Sequence, residues 1–265
     1  MNTSRRFPSP SVYVGGNRAV INPGAYVVLP PENRCSSPHP NLQQADEQVF
    51  VTPKLGASYV MSEVVVQPGG GTVQPFDNRL EHFLFVVKGR LQFTLEKSER
   101  ELASGSFAWI PPHQPFEYIN RTEQPCRLVW FRRRYAVLEH VDIPGPIFGN
   151  EKDIPAVPEV DLNPEKQLIP YANPGIDIAF NLIVCQPGAY YGLVETHAWE
   201  HAMYMLEGEG LLFLNGQPFH VKENDFVYIA PYCPEWFCAL GMENKPVRFL
   251  LYWDCNRAYE DSLDE

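Results

Sequence analysis

Short apolar runs, rather than helical stripes, organise this chain. Val64-Val65-Val66, Leu84 to Val87, Leu91 to Leu95 and Phe107 to Ile110 are rich in β-branched and aromatic residues and bounded by turn formers, the pattern of strands. A second set follows in the same order: Leu182-Ile183-Val184, Tyr204 to Leu206, Leu211 to Leu214 and Phe226 to Ile229. Asn215-Gly216 predicts a two-residue hairpin closing Leu211 to His220, because both positions of such a turn require positive φ. With 26 Pro and 18 Gly, few long windows keep helical spacing. Short strands turning every eight to twelve residues or so predict an antiparallel sandwich or barrel.

The two sets are one pattern written twice. Gln67-Pro68-Gly69 recurs as Gln186-Pro187-Gly188, Glu81-His82 as Glu200-His201, and Gly89 as Gly208. Phe107, Ile110, Pro112 and Pro115 return as Phe226, Ile229, Pro231 and Pro234, always 119 positions later (208 − 89, for example). That period far exceeds the roughly 20–50 residues of solenoid repeats, so each copy should be a domain with its own core. Pro144-Gly145-Pro146 and the Pro-rich, acidic stretch from Glu151 to Pro170 mark a linker with little core of its own. The boundary is expected near residue 150, giving an N-terminal domain, 1–150, and a C-terminal domain, 151–265. Tyr26 to Leu29 is a further extended run, suited to packing a strand onto the partner domain.

A chain of 265 residues with 45% hydrophobic and 13% aromatic residues can fill two cores. A net charge of −11 argues against a nucleic-acid surface. The one basic run, Arg132-Arg133-Arg134, reads as a strand end paired with the acidic excess. Met1 to Gly16 has no apolar signal core, and no stretch approaches a membrane span, so a cytoplasmic protein is expected. The six cysteines lie far apart without a CxxC pair and are expected as reduced thiols.

Chemistry concentrates in one copy. Glu195, His197, His201 and Glu235 stand where the first copy has Phe76, Asn78, His82 and Phe116. On a strand, Glu195 and His197 share a face, His201 rejoins it after a bend, and Glu235 arrives from a later strand. A zincin-like helix would need a Glu beside His197, and that place is Ala198. Two imidazoles with carboxylates suit Mn(II), Fe(II) or Zn(II), with Mn or Fe favoured by the oxygen donors. Glu235 can act as ligand or as catalytic base. In the first copy His82 is expected as a satisfied core histidine beside Phe76 and Phe116, without metal.

These residues match a known family. The Gly192 to Gly210 stretch, with Glu195, His197, His201 and Gly208 in order, resembles the first cupin motif, and Asn224-Asp225 to Glu235 resembles the second. Two such copies resemble a bicupin: an all-β chain of two tandem cupin barrels, each a double-stranded β-helix or jelly roll. Gly16-Asn17-Arg18-Ala19-Val20, Thr52 to Ser58, Arg133-Arg134-Tyr135, Glu195-Thr196-His197, Glu200-His201 and Asp254-Cys255-Asn256-Arg257 resemble, more narrowly, the (S)-ureidoglycine aminohydrolases of allantoin breakdown in purine catabolism. The resemblance implies a manganese-dependent hydrolase that releases ammonia from (S)-ureidoglycine to give (S)-ureidoglycolate, with Glu195, His197 and His201 as ligands. The family pattern carries Gln at the place of Glu235, Tyr at those of Leu212 and Phe249, and Lys at that of Trp253. Leu212, Phe249 and Trp253 would leave this chain's substrate pocket with an apolar wall. Rival readings are Fe(II) dioxygenase chemistry on another small molecule and a non-catalytic small-ligand-binding bicupin. A homodimer or higher assembly is expected, since barrel sheets leave edges to cover.

Overall fold

The computed structural model describes residues 17–74, 76, 79–157, 164–241 and 245–257. The first half holds β1 (Val20–Asn22), β2 (Tyr26–Leu29), β3 (Ser36–Ser37), β4 (Leu42–Val51), β5 (Val60–Thr72), β6 (Leu80–Lys88), β7 (Arg90–Leu95), β8 (Ser98–Ala103), β9 (Ser106–Ile110), β10 (Phe116–Ile119), β11 (Cys126–Arg134) and β12 (Ile147–Asn150). The second holds β13 (Glu165–Gln167), β14 (Ile178–Cys185), β15 (His201–Glu207), β16 (Glu209–Leu214), β17 (Gln217–Lys222), β18 (Phe226–Ile229), β19 (Glu235–Ala239) and β20 (Val247–Asp254). Helix is confined to single 3₁₀ turns among the described residues, and none is long and apolar enough to cross a membrane.

The strands build two antiparallel barrels. The first is one curled sheet in the order β12-β9-β6-β11-β5-β10-β7-β8, with β4 also on β5; the second combines β1-β2-β18-β15-β20-β14-β13 with β17-β16-β19. The repeat survives in the backbone itself. Positive φ occurs in pairs 119 residues apart, at Gly69 and Gly188, Gly89 and Gly208, Glu96 and Asn215, Gly105 and Asn224, and His113 and Tyr232. The turn between β16 and β17 has Asn215 at φ 48° and Gly216 at φ 77°, as a type I′ hairpin requires.

The two copies exchange their leading strands. Tyr26–Leu29 of the first half pairs with β18 of the second barrel, while Ile147–Asn150, which leads into the second half, pairs with β9 of the first. A boundary at residue 150 therefore separates the copies along the chain, whereas packing places β1 and β2 in the second barrel. The reason lies in side-chain pattern: all four residues of Tyr26–Leu29 are buried, so the strand needs cover on both faces, and only a sheet sandwiched between two cores supplies it.

Each barrel has an interior cluster, and a third cluster joins the barrels back to back. In that joint the rings of Phe83 and Phe180 stack with centroids 3.7 Å apart, an arrangement worth about 0.5–1.5 kcal/mol beyond the area buried. Leu168 and Ile169 are buried in the same joint. The stretch from Glu151 to Pro170 is thus not the coreless linker its composition suggested, because its last residues are apolar and dock between the barrels. Two residues of the basic run lie against acids as expected: Arg132 meets Glu47, and Arg133 meets Asp177 and the carboxyl of Glu81. All six cysteines are free thiols, three of them buried.

Candidate metal centre

The segment before β15 is not the regular strand the sequence suggested. It runs beside β19 through Ala189 with Ala239, Tyr191 with Phe237, and Glu195 with Glu235. Between Tyr191 and Glu195 it carries two more residues than β19 does between Phe237 and Glu235, so the chain bulges. Leu193 and Val194 are thrown into solvent, and Glu195 is returned to register with reciprocal backbone bonds of 2.9 and 3.0 Å to Glu235. Bulges re-aim side chains in this way. His197 follows in a bend, held where its carbonyl accepts from Tyr232 N at 2.7 Å, and His201 opens β15.

Three donor atoms meet. His197 Nε2, His201 Nε2 and Glu235 Oε1 form a triangle with edges of 3.1, 3.2 and 3.2 Å. Edges of that length are spanned by neighbouring donors on one ion with bonds of about 2.0–2.2 Å. His201 Nδ1 lies 3.0 Å from the Tyr252 carbonyl. A carbonyl can only accept, so Nδ1 carries a proton and Nε2 is the nitrogen left to face the triangle, where it meets Glu235 through a proton or an ion. Burial alone would raise the Glu235 pKa, but the charge of His201 and hydrogen bonds from both imidazoles outweigh it and hold the carboxyl down at about 2. His201 in turn, lowered by burial, is raised overall by Glu235. Electron-rich atoms packed this closely fit a cation.

Among the sequence candidates, the donors within 4.8 Å of one another belong to His197, His201 and Glu235. Glu195 lines the same cavity, but its carboxylate stands outside that group, consistent with the repulsion between side-by-side carboxylates. Leu212 also lines the cavity. Phe249 does not: it is wholly buried in the barrel interior against Phe237. Trp253 is paired directly with His201 across the ladder and shares its sheet face, its ring centroid 6.5 Å from the imidazole and 5.3 Å from that of Tyr171. The apolar wall is made instead by Met203, Trp236, Phe237 and Leu251 with Leu212. Strand parity could have found two of these, since Met203 and Phe237 each lie two residues beyond a metal-site residue on the same strand face. Among the described residues the lining contains Glu195 and Glu235 and no Lys or Arg.

The first barrel fills the equivalent space with rings. Phe76 lies 5.0 Å from Phe116 and 4.6 Å from Trp130, and His82 lies 4.9 Å from Phe116, centroid to centroid. His82 Nδ1 accepts from Trp130 Nε1 at 3.1 Å, the satisfied core histidine expected. Asn78 lies outside the described residues.

The family model described as Cupin domain matches residues 62–132 and 181–253, over half of the chain, one match per barrel. The chain belongs to the cupin family. This cupin is 27% identical over 247 residues to the (S)-ureidoglycine aminohydrolase of Escherichia coli (strain K12), covering 92% of this chain and 94% of the relative. It is 27% identical over 248 residues to the (S)-ureidoglycine aminohydrolase of Arabidopsis thaliana, covering 88% and 76%. The crystal structure of protein Ylba from E. coli superimposes with a TM-score of 0.83 at 26% identity, covering 92% of this cupin and 96% of that chain. The two-barrel architecture and the aminohydrolase resemblance expected from the sequence both stand.

Proposed function

We propose that this bicupin is a divalent-metal-dependent aminohydrolase that releases ammonia from (S)-ureidoglycine to give (S)-ureidoglycolate. The observation that carries the reading is the His197, His201 and Glu235 triangle, found among the described residues in the second barrel, in a chain similar over nearly its whole length to proteins of that name. His197, His201 and Glu235 would hold the ion, with Glu195 lining the same cavity, and the donor set favours Mn(II), with Fe(II) and Zn(II) as alternatives. When bound, such an ion supplies Lewis acidity that polarises a water or a substrate oxygen.

The chain's own groups do the rest. The Tyr252 carbonyl keeps a proton on His201 Nδ1, so Nε2 is the nitrogen turned to the ion. Glu235 stays ionised across the physiological range and supplies a fixed negative charge at the site. Met203, Leu212, Phe237 and Leu251 keep bulk water from one side of the site, which strengthens every electrostatic contact inside it. The test is ammonia release from freshly prepared (S)-ureidoglycine by Mn(II)-loaded protein, compared with His197→Ala. Release at the uncatalysed rate by the loaded wild type removes the proposal.

A further inference from the structure

We infer that the first barrel, whose own site is filled with aromatic rings, positions the metal ligand His201 of the second barrel, with Tyr59, Arg133 and Tyr252 as positioning residues. The inference rests on the reading of the His197, His201 and Glu235 triangle as a divalent-ion site.

His201 is fixed at two points besides its place in the β15 ladder, and both lead to the joint between the barrels. Its Nδ1 donates to the Tyr252 carbonyl at 3.0 Å, and its own carbonyl accepts from the phenol of Tyr59 at 3.1 Å. Tyr59 belongs to the first barrel's half of the chain and is 1% exposed. Tyr252 turns its side chain into the joint, where the phenol accepts from Arg133 Nη1 at 2.7 Å and donates to Glu200 Oε1 at 3.2 Å. Glu200 is the residue before His201, and it also accepts from the backbone of Ser58 at 3.0 Å.

Arg133 is the centre of this arrangement. Its Nη2 donates to Asp177 Oδ2 at 2.9 Å and its Nε lies 3.1 Å from Glu81 Oε1, while Trp109 Nε1 donates to Glu81 at 2.9 Å. The planar guanidinium thus has a fixed orientation, and the phenol it holds fixes β20 at the residue whose carbonyl orients the imidazole. Glu81 and Arg133 come from the first barrel, Asp177 and Tyr252 from the second. In a buried, water-poor joint such hydrogen bonds are strong and intolerant of displacement. Partners that orient a ligating imidazole typically change ion affinity by about 10–100-fold when removed.

Two variants remove a single hydroxyl each and keep the ring. Tyr252→Phe breaks the tie from Arg133 to Glu200 but leaves the carbonyl that His201 uses. Tyr59→Phe removes the donor to the His201 carbonyl. Mn(II) titration of the full-length protein, followed by the electron paramagnetic resonance signal of free and bound ion, is expected to show roughly tenfold weaker binding for each and an altered bound-ion line shape. Arg133→Lys keeps the charge but not the fork and should fall between wild type and Arg133→Met. Phe116→Leu, which loosens only the first barrel's interior, is the control and should leave affinity and line shape unchanged.

If the wild type takes up no divalent ion, the underlying site reading fails. If the wild type binds and both phenylalanine variants match it in affinity and line shape, the positioning role is overturned while the site reading stands. Weakening by Phe116→Leu equal to that of the tyrosine variants also overturns it, since general loosening would then suffice.

Discussion

His82 and His201 occupy the same place in two copies of one barrel, and their Nδ1 atoms meet opposite kinds of partner. His201 Nδ1 faces the Tyr252 carbonyl, which only accepts, so Nδ1 keeps a proton and Nε2 is the nitrogen left for an ion. His82 Nδ1 faces the indole N–H of Trp130, which only donates, so a neutral His82 must hold its proton on Nε2. The residue 119 places after Trp130 is Phe249, which has no proton to give. Which nitrogen each histidine turns to its barrel's cavity is therefore set by what the far nitrogen meets. The rest of the difference follows the same logic, with Phe76 and Phe116 at the places of Glu195 and Glu235. One barrel converts the space into packing, and the other keeps it polar.

The comparison is broken most severely by removing the packing. Phe116 is 1% exposed and touches Phe76, His82 and Phe93, so Phe116→Ala should cost about 3–5 kcal/mol of stability, read as a shifted urea midpoint. Ion affinity per folded molecule should not change. An unmoved midpoint would mean that the rings do not form one packed cluster. The mirror experiment is His201→Ala. Structural ion sites with four ligands bind with roughly 10–16 kcal/mol, about 3 kcal/mol per ligand, so affinity should drop on the order of 10²-fold. His82→Ala should leave ion uptake untouched, and equal effects of the two substitutions by calorimetric titration would erase the distinction between the barrels.

Much of this contrast was legible before any coordinates. Glu195, His197, His201 and Glu235 against Phe76, Asn78, His82 and Phe116 already separates a polar from an apolar site, because the repeat acts as an internal control. The strands were legible too, since β-branched and aromatic runs bounded by turn formers, and Asn215-Gly216, are local signals. Three features were not. The bulge at Leu193 and Val194 is a register shift, set by pairing with β19 and not by local composition. The exchange of leading strands depends on which core covers Tyr26–Leu29, a long-range question. The protonated nitrogens of His82 and His201 depend on partners 48 and 51 residues away, and no spacing rule links them. Phe249 and Trp253 were placed at the pocket by resemblance. They share one face of β20, Phe249 deep in the barrel core and Trp253 beside His201 at the strand's end.

The joint between the barrels sharpens the comparison through pH. Glu81 and Glu200 are sequence equivalents, and both face the joint. Glu81 is wholly enclosed, and burial together with the charge of Asp177 outweighs Arg133 and raises its carboxyl to about 8. The folded state thus keeps a proton that the unfolded chain releases near the ordinary carboxylate value. Stability should then be fullest below about pH 4.5 for this group and decline as pH rises towards 8, by an amount on the order of a few kcal/mol. Urea midpoints of Glu81→Gln between pH 5 and 8 should lose most of that slope. A wild-type profile that is flat over this window, and unchanged in Glu81→Gln, would show that Arg133 keeps Glu81 ionised.

The smallest change tests whether charge at the ion, and not shape alone, separates this chain from the pattern it resembles. Glu235→Gln keeps an oxygen that can reach the position of Oε1, 3.2 Å from both imidazole nitrogens, but removes one negative charge. A divalent ion should still bind, about tenfold more weakly, because Coulomb attraction is lost while two imidazoles and the amide oxygen remain. An ion with less donated charge is a stronger Lewis acid and lowers the pKa of a bound water further, so the acid limb of ammonia release should move to lower pH. Weaker binding with that shift would make Glu235 a ligand whose charge tunes the site. Unchanged affinity with loss of all turnover would instead assign Glu235 to proton transfer, leaving His197 and His201 to hold the ion with Glu195.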